Sequence, residues 1–545
     1  MTSHVRPLLP QPRLSITAST TPRAWFKTAL ITLTLLVSCS IVAWAQESVT
    51  ATGVVYHDLN KNGVRDSGEP GIAGVMVSNG DDIVRTDPEG RYQLPVEANS
   101  HIFVIKPRDY QTAVDSDGLL RFYYTWSPDG AAGEQYEGLN PTDPLPESAN
   151  FPLYHQPEED QYRVLIFGDT QPRDLQEIHW FAHDTVQEVI GAEARFGVTL
   201  GDLVFDDLNL FDPLNEVIGR IGLPWVNVLG NHDIDYSAET SADARGAYFR
   251  TYGPSWYAFS SGAAHFVVVD NIRFIRDDEG SRYRTGLDEE QLNFIENFLD
   301  HIPEDDLVVF LSHIPWAYST AWQNDAELDR LYSLIESRPA TVSFSAHAHR
   351  HFHRFLGSDE RWPGNQPLHL ISMGTTGGAW WSGAPDEYNI PHSMMRDGTP
   401  TGYAWLDIDG SDWKLTYKAS RRSEDFQMHI HAPDMISLSD SRPEVHANIF
   451  NALPDAEVEL RVGESGEWQS LTRVERVDPV YVSMHRRERG LESAAWRLPG
   501  NANASTHLWA GSLPDELEPG VHTIYVRASD RWHNYEGRRL IRVTE

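Results

Sequence analysis

Apolar runs alternate with amphipathic segments through the middle of the chain. Between residues 161 and 371, short strand-like runs are separated by segments with helical periodicity, which is typical of an α/β domain. The expected strands cover 162–167, 196–200, 225–229, 307–311 and 341–345, and the expected helices cover 175–190, 208–221, 288–300 and 326–336. A hairpin-like pair at 256–270 interrupts this order. The pattern therefore predicts an α/β core.

Strand-like patterns without helices flank this core on both sides. Short alternating runs separated by Gly, Asn and Asp turns predict an N-terminal β-sandwich-like domain over 48–157, followed by a Pro- and acid-rich strap. The core is expected to extend over 161–400, with an irregular Gly-, Trp- and Pro-rich stretch at its end. Alternating strands over 401–545 predict a C-terminal β-sandwich domain.

The first 45 residues have the pattern of a secretory signal peptide. A basic start without acidic residues is followed by an apolar run over 29–45 that ends Ala43-Trp44-Ala45. Cleavage after Ala45 would export the protein to the periplasm or the medium and leave no membrane span in the mature chain. A retained anchor and a lipidated Cys39 are the alternatives, but the apolar run continues past Cys39. The basic residues are Arg6, Arg13, Arg23 and Lys27.

Length and charge narrow the function classes. A chain of 545 residues is expected to form about two to four domains. With 79 acidic against 44 basic residues, the net charge is −35, which argues against nucleic acid or an anionic membrane as a bulk partner. Cys39 is the only cysteine, so disulfides cannot stabilise the mature protein. A phosphorylated substrate would need local positive charge, which a bound metal supplies.

Five polar segments each follow a strand-like run. In an α/β fold, ligands bind beyond the carboxyl ends of the strands, so these segments predict one site assembled from five pieces. The segments are Gly168-Asp169-Thr170-Gln171, Gly201-Asp202-Leu203-Val204-Phe205-Asp206, Gly230-Asn231-His232-Asp233, Ser312-His313-Ile314-Pro315 and Ala346-His347-Ala348-His349.

Carboxylate, amide and imidazole donors without thiolates suit hard or borderline divalent metals. Two such ions roughly 4 Å apart need a bridging anion, and Asp202, in a central segment, is the best candidate. Asp169 with His349 could complete one site, and Asn231, His313 and His347 the other. His232 could protonate a leaving oxygen with Asp233 tuning it. Each histidine taken singly is more often a core or surface residue, and the ordered set carries the prediction.

These segments resemble the motifs of the calcineurin-like metallophosphoesterases, D-x-H, G-D-x-x-[DN], G-N-H-[DE], a lone His and G-H-x-H, over residues 163–355. The resemblance implies a four-layer-type β-sandwich flanked by helices and two divalent ions (Mn, Fe, Zn or Mg). It also implies hydrolysis of phosphate mono- or diesters by a metal-bound hydroxide, with His232 as the catalytic imidazole. The implied ligands are Asp169, Asp202 and His349 for one metal, and Asp202, Asn231, His313 and His347 for the second.

Two positions depart from the family pattern. Gln171 stands where the family has histidine, and Ala346 replaces the first glycine of the last motif. A glutamine amide oxygen can ligate, but it binds weakly, so the first site would prefer Mg or Mn or lose its metal easily. The layout of the chain resembles that of bacterial exported phosphoesterases, which act on phosphoester substrates. The alternative is a calcium-stabilised surface-binding protein whose phosphoesterase domain has decayed, and Gln171 is its only support.

A second metal signal lies in the N-terminal β-region. Residues 58–69 have the spacing of a twelve-residue calcium loop, with glycine at position 6. No helices flank it, so it resembles the calcium loop of B-type repeats in bacterial surface adhesins rather than an EF-hand. The expected role is structural, and the alternative is an ordinary cluster of Asn/Asp turns. The candidate ligands are Asp58, Asn60, Asn62, Val64, Asp66 and Glu69.

Other side chains have weaker signals. Arg173 and Arg245 could meet phosphate oxygens, although surface arginines are the common case. Trp380 lines a substrate pocket, packs in the core or lies at a domain interface. His351 and His353 continue the alternation of the last motif, and we expect them to be outer-shell or solvent-facing groups.

Overall fold

The computed structural model describes residues 49–317, 325–439 and 442–545. The predicted signal peptide over 1–45, with Cys39, lies outside these ranges, so its cleavage and lipidation remain expectations. No helix within the described ranges combines the length and hydropathy that a membrane crossing requires.

The N-terminal region is a pair of packed β-sheets. One sheet has the order β4-β1-β9-β6-β7 and the other β3-β2-β5-β8. In β4, Tyr92, Leu94 and Val96 are buried and alternate with exposed positions, as expected for a strand with one face on the core. The strands are β1 (Val49–His57), β2 (Met76–Ser78), β3 (Ile83–Arg85), β4 (Arg91–Val96), β5 (Ser100–Ile105), β6 (Tyr110–Val114), β7 (Leu120–Arg121), β8 (Tyr123–Trp126) and β9 (Phe151–His155).

The central region confirms the predicted α/β core. One sheet has the order β12-β11-β10-β21-β22 and the other β13-β14-β17-β18-β20-β19. The elements are β10 (Gln161–Phe167), α1 (Leu175–Phe181), α2 (Gln187–Val189), β11 (Phe196–Thr199), α3 (Phe211–Ile218), β12 (Trp225–Asn227), α4 (Ser241–Ala244), α5 (Gly246–Tyr252), β13 (Tyr257–Ser261), β14 (Ala264–Val269), β15 (Ile272–Asp277), β16 (Gly280–Thr285), α6 (Glu289–Leu299), β17 (Leu307–Ser312), α7 (Asp325–Ile335), β18 (Thr341–Ser345), β19 (Phe352–Leu356), β20 (Leu368–Ser372), β21 (Gly402–Asp409) and β22 (Asp412–Ala419).

Side chains on opposite faces of the strands pack the sheets and helices of this region into layers. Phe167 of β10 contacts Phe181 of α1 with ring centres 5.7 Å apart, which covers the outer face of the first sheet. On β14, Phe266 packs against Phe196 of the first sheet at 5.1 Å, whereas the preceding residue faces α6 on the other side. Because successive strand residues point to opposite faces, the order is helices, sheet, sheet, helices.

The first sheet extends past the predicted domain boundary at residue 400. Strand β21 pairs antiparallel with β10, with Leu406 opposite Val164, and β22 pairs with β21. The prediction assigned these two strands to the C-terminal sandwich because their alternation resembles that of the later strands. A period of two identifies a strand but not the sheet that it joins.

The C-terminal region is a β-sandwich with one inserted helix. Its sheets have the orders β23-β25-β29-β28 and β24-β31-β30-β26-β27, and helix α8, capped by Asp478, was not predicted. The elements are β23 (Met428–His431), β24 (Met435–Ser437), β25 (Glu444–Ile449), β26 (Glu457–Val462), β27 (Gln469–Ser470), β28 (Thr472–Val477), α8 (Pro479–Arg489), β29 (Ala504–Ser512), β30 (Gly520–Ser529) and β31 (Asn534–Thr544).

The parallel strands bring the five motifs to one edge of the two sheets. Phe167, Thr199 and Asn227 pair in register at the ends of β10, β11 and β12. In the second sheet, Leu311 of β17 pairs with Phe344 of β18. Since each motif begins one to three residues later, all five lie at the carboxyl ends of these strands.

Candidate metal centre

The predicted metal-binding side chains converge. Ligand atoms of Asp202, His313 and His347 all lie within 4.8 Å of one another. Oδ2 of Asp202 is 3.1 Å from Nε2 of His313, and Oδ1 of Asn231 is also 3.1 Å from that nitrogen. Nδ1 of His347 lies 3.2 Å from the same atom. Three donors from three other loops therefore lie around Nε2 of His313.

His313 is oriented by its other ring nitrogen. Its Nδ1–H donates to the carbonyl oxygen of Leu200 at 2.8 Å, and its side chain is fully buried. Such a bond fixes the tautomer and directs the second nitrogen toward a ligand. Nε2 therefore faces the centre, where it can bind a cation once its proton is lost.

Asp169 and His349 form the other half of the centre. Oδ2 of Asp169 lies 2.9 Å from Nε2 of His349, and Nδ1 of His349 donates to the carbonyl oxygen of Gly378. The ring of Trp380 stacks on His349 with centres 4.1 Å apart. Trp380 thus lines the centre, in agreement with one of its three sequence interpretations.

Two buried oxygen atoms fit a metal better than they fit the protein alone. Oδ2 of Asp169 and Oε1 of Gln171 are buried and accept no hydrogen bond among the described residues. The nitrogen of His349 that faces Oδ2 carries no proton when the other ring nitrogen donates to Gly378. Gln171 donates from Nε2 to Oδ2 of Asp202 at 2.7 Å, which leaves its carbonyl oxygen free. Because unpaired buried acceptors are costly, their presence beside imidazoles suits divalent cations.

The electrostatics of the cluster favour exchange of a proton for a cation. Burial alone would lower the pKa of His313, but the carboxylates of Asp202 and Asp169 raise it to about 9. Burial and the charge of His313 lower the pKa of His347 to about 4. A metal bound at Nε2 of His313 must displace that proton, so acid weakens metal binding.

The motif glycines admit close packing of the loops. A Cβ atom at Gly230 would lie 2.0 Å from the backbone nitrogen of Asp202, and one at Gly201 would lie 2.6 Å from Nδ1 of His313. Four candidate ligands have left-handed backbones, with φ between 40° and 60°, which is costly for residues other than glycine and concentrates at functional sites. They are Gln171, Asp202, His347 and His349.

His232 lies at the rim of the centre and pairs with Asp206. Its Nδ1–H donates to Oδ1 of Asp206 at 2.6 Å, and its ring stacks on Phe205 with centres 4.4 Å apart. Its backbone N–H donates to Oδ1 of Asp202 at 2.9 Å. The sequence analysis overlooked Asp206, although it stands in one of the five segments.

Asp233 contacts backbone instead of the ring of His232. Its carboxylate accepts hydrogen bonds from the N–H groups of Val204 and Gly230 at 3.2 and 2.8 Å. Burial and the neighbouring Asp202 raise its pKa to about 7. Asp233 therefore joins two motif loops, and its charge helps to raise the pKa of His232, whereas Asp206 accepts the hydrogen bond from the ring.

The N-terminal region reaches this rim through Tyr136. The hydroxyl of Tyr136 donates to the carbonyl oxygen of Asp206 at 2.6 Å. Asp206 has a left-handed backbone, with φ of 63°, and its side chain is half exposed. The N–H groups of Glu134 and Gln135 both donate to Oγ of Ser237, which fixes the segment that carries Tyr136.

Replacing Tyr136 by phenylalanine is expected to reduce kcat about fivefold, because the loss of one hydrogen bond of roughly 1 kcal/mol loosens Asp206 and hence His232. Steady-state kinetics on an aryl phosphate measures the change, with KM unaltered. Tyr388→Phe, at an exposed tyrosine, is the matched control. Equal kinetics for Tyr136→Phe and the control would refute this positioning role.

Three weaker candidates have structural contacts. Arg245 is buried and donates from Nε to Asp270 at 2.7 Å, so it is unsuited to phosphate. His351 and His353 are buried rather than solvent-facing, and both lie within 3.1 Å of Oδ1 of Asn451. These histidines connect the core to the C-terminal region.

The calcium-type loop is closed around its two end carboxylates. Oδ2 of Asp58 accepts from the N–H of Gly63 at 2.7 Å, where φ is 74°. Glu69 is nearly buried and accepts from the N–H groups of Leu59 and Asp66. The first and last positions therefore point into the loop, and calcium binding by these residues stays a prediction.

Sequence-family comparisons cover most of the chain. The N terminal of calcineurin-like phosphoesterase matches residues 59–138, calcineurin-like phosphoesterase matches 162–351, and the C terminal of calcineurin-like phosphoesterase matches 371–535. The chain belongs to the calcineurin-like phosphoesterases, with the N- and C-terminal domains of that family flanking the core. Family membership implies a phosphoester hydrolase that uses divalent metals.

Other comparisons add little. No curated protein sequence matches the chain. Among solved structures, an engineered protein aligns at 9% identity over 68% of this chain and 71% of its own, with a TM-score of 0.16. The β-glucuronidase of Bacteroides uniformis aligns at 7% identity over 86% of this chain and 57% of its own, with a TM-score of 0.16. Similarity this low supports no conclusion.

Proposed function

We propose that the protein is an exported hydrolase of phosphate mono- or diesters that works with two divalent ions. The observation that carries the proposal is the convergence of Asp202, Asn231 and His347 on Nε2 of His313. Beside it, Asp169 and Gln171 offer buried oxygens without hydrogen-bond partners among the described residues. Asp202 lies between the two groups and is the candidate bridge.

The proposed chemistry divides between the metals and His232. When bound, two divalent ions activate water and neutralise charge on the phosphoryl oxygens. Burial alone would lower the pKa of His232, but Asp202 and Asp206 raise it, which favours the protonated ring. Asp206 holds Nδ1, which leaves Nε2 to deliver that proton to the leaving oxygen.

A metal-dependent activity screen tests this function. The protein is stripped with chelator and assayed on 4-nitrophenyl phosphate and bis(4-nitrophenyl) phosphate with Mn, Mg, Zn and Fe. We expect no turnover without metal and recovery with at least one of the four ions. Failure on both esters with every ion would contradict the proposal.

The alternative function is a calcium-stabilised surface-binding protein with a decayed catalytic domain, and Gln171 favours it. Metal analysis of the purified protein separates the two. The hydrolase is expected to retain about two transition or alkaline-earth ions per core, whereas a decayed centre retains none.

Export is proposed from the leader alone. Residues 1–45 combine a basic start, an apolar run and an Ala-x-Ala site. Edman sequencing of the protein from the periplasm or medium should begin at Gln46. A blocked, lipid-modified Cys39 or an intact leader would replace this proposal with one of the anchored forms.

Calcium binding by residues 58–69 is proposed as a structural role. At a hundredfold excess over its Kd, calcium would stabilise the folded state by roughly 2.7 kcal/mol, so Tm should rise when calcium is added. Glu69→Gln should remove that response, and Glu89→Gln, at an exposed glutamate, should keep it. A calcium-independent Tm in the unaltered protein would show that the loop is an ordinary turn cluster.

A further inference from the structure

We propose that Arg173 and Arg497 form an anion-binding subsite beside the metal centre. This subsite would bind a second negatively charged group, carried by the leaving alcohol of the substrate. The inference rests on the proposed phosphoesterase function and narrows its substrate class to phosphoesters with an anionic leaving group.

The subsite lies one aromatic ring away from the candidate proton donor. The guanidinium of Arg173 is 4.1 Å from the ring centre of Phe205, and that same ring stacks on His232 at 4.4 Å. Phe205 therefore connects Arg173 to the residue that would protonate the leaving oxygen.

Trp380 ties both arginines to the metal centre. Nη1 of Arg173 and Nη1 of Arg497 donate to the carbonyl oxygen of Trp380 at 3.1 and 2.8 Å, while the ring of Trp380 stacks on His349. Trp380 has a left-handed backbone, with φ of 57°. This strained residue therefore presents its ring to a candidate ligand and its carbonyl to the arginine pair.

The charges of the subsite do not cancel. Arg173 and Arg497 share a single carboxylate, that of buried Glu177, at 3.5 and 3.1 Å. The groups in direct contact, two guanidinium groups and one carboxylate, sum to one positive charge in a chain that carries −35 overall. The carboxylate of Asp206, which also acts on Arg173, is paired with His232. An anion bound there is attracted by the local guanidinium groups, whereas the rest of the acidic surface repels it.

Both arginines retain donors for a ligand. Only Nη1 of each side chain is hydrogen-bonded among the described residues, and neither Nε nor Nη2 is a buried unpaired atom. The side chain of Arg497 is 45% exposed and that of Arg173 is 22% exposed. Planar guanidinium donors bind carboxylate and phosphate in the same bidentate way.

The two arginines come from distant parts of the chain. Arg173 follows the first motif of the core, whereas Arg497 lies 320 residues away in sequence from its shared partner Glu177, in the segment after α8. The C-terminal region thus supplies a side chain to the rim of the core site. A purely structural clamp between these regions is the competing explanation, and it predicts no dependence on the charge of the substrate.

Matched aryl esters distinguish these explanations. Phenyl phosphate, 3-carboxyphenyl phosphate and 1,3-phenylene bisphosphate, together with their methyl diesters, are assayed with the activating metal. We expect kcat/KM for an anionic leaving group to exceed that for the phenyl ester about tenfold, mainly through KM. Comparing the 3-carboxyphenyl ester with the phenylene bisphosphate shows whether the subsite prefers a carboxylate or a phosphate.

Arg497→Gln is expected to lower this kcat/KM ratio about tenfold, as for loss of a charge-assisted hydrogen bond, and Arg497→Lys should retain part of it. Arg487→Gln, at an exposed arginine of α8, is the control, and Tm monitors folding. An unchanged ratio in Arg497→Gln, or no preference in the unaltered protein, overturns the subsite while the phosphoesterase function stands. Failure to hydrolyse any ester overturns both.

Discussion

Replacing Asp202 by asparagine is expected to lower turnover at least about a hundredfold. The side chain stands at the centre of the site, where Oδ2 meets His313 and Gln171 and Oδ1 accepts the backbone N–H of His232. An amide keeps the shape but removes the charge that would bridge two cations, and loss of a bridging anion costs both metal affinity and catalysis.

The measurement combines kinetics with metal content. Turnover of the best ester is followed at saturating metal, while metal analysis reports how many ions the variant retains and thermal melting reports folding. Asp212→Asn, at an exposed aspartate of α3, is the matched control. Normal turnover and two retained ions in Asp202→Asn would remove the bridge from the proposed mechanism.

Replacing His232 by alanine is also expected to reduce turnover by about a hundredfold or more, because general acid catalysis contributes about 10²–10⁴. Unlike Asp202→Asn, this variant should keep its metals, since His232 lies at the rim and its ring contacts Asp206 and Phe205. The defect should therefore be in the transfer of a proton.

Leaving-group dependence is the test of that role. A phenolate of high pKa needs a proton more than 4-nitrophenolate does, so His232→Ala should lose more activity on phenyl phosphate than on 4-nitrophenyl phosphate. His183→Ala, at an exposed histidine, controls for the substitution itself. An equal loss on both esters would assign His232 to another step.

Local patterns were sufficient to predict the core and the position of its site. The apolar runs before Asp169, Asp202, Asn231, His313 and His347 are buried strands, and parallel pairing brings their carboxyl ends together. The order of the motifs therefore predicted a convergence that the described side chains display. Whether Gln171 ligates remains a prediction, because its free oxygen fits a metal without proving one.

Long-range contacts account for what the sequence analysis missed. Tyr136 is 70 residues from Asp206 and Arg497 is 320 from Glu177, and no periodicity connects such pairs. The placement of β21 beside β10 likewise depends on a pairing across more than two hundred residues. Asp233 contacts the backbone of two motif loops, and its charge also contributes to raising the pKa of His232.

Anomalous diffraction from a crystal soaked in manganese tests the central claim most directly. Two peaks about 3.5–4 Å apart are expected, one near Nε2 of His313 and one near Oδ2 of Asp169, with Asp202 between them. A map without peaks among these side chains, in a crystal that binds manganese elsewhere, would contradict the two-metal account.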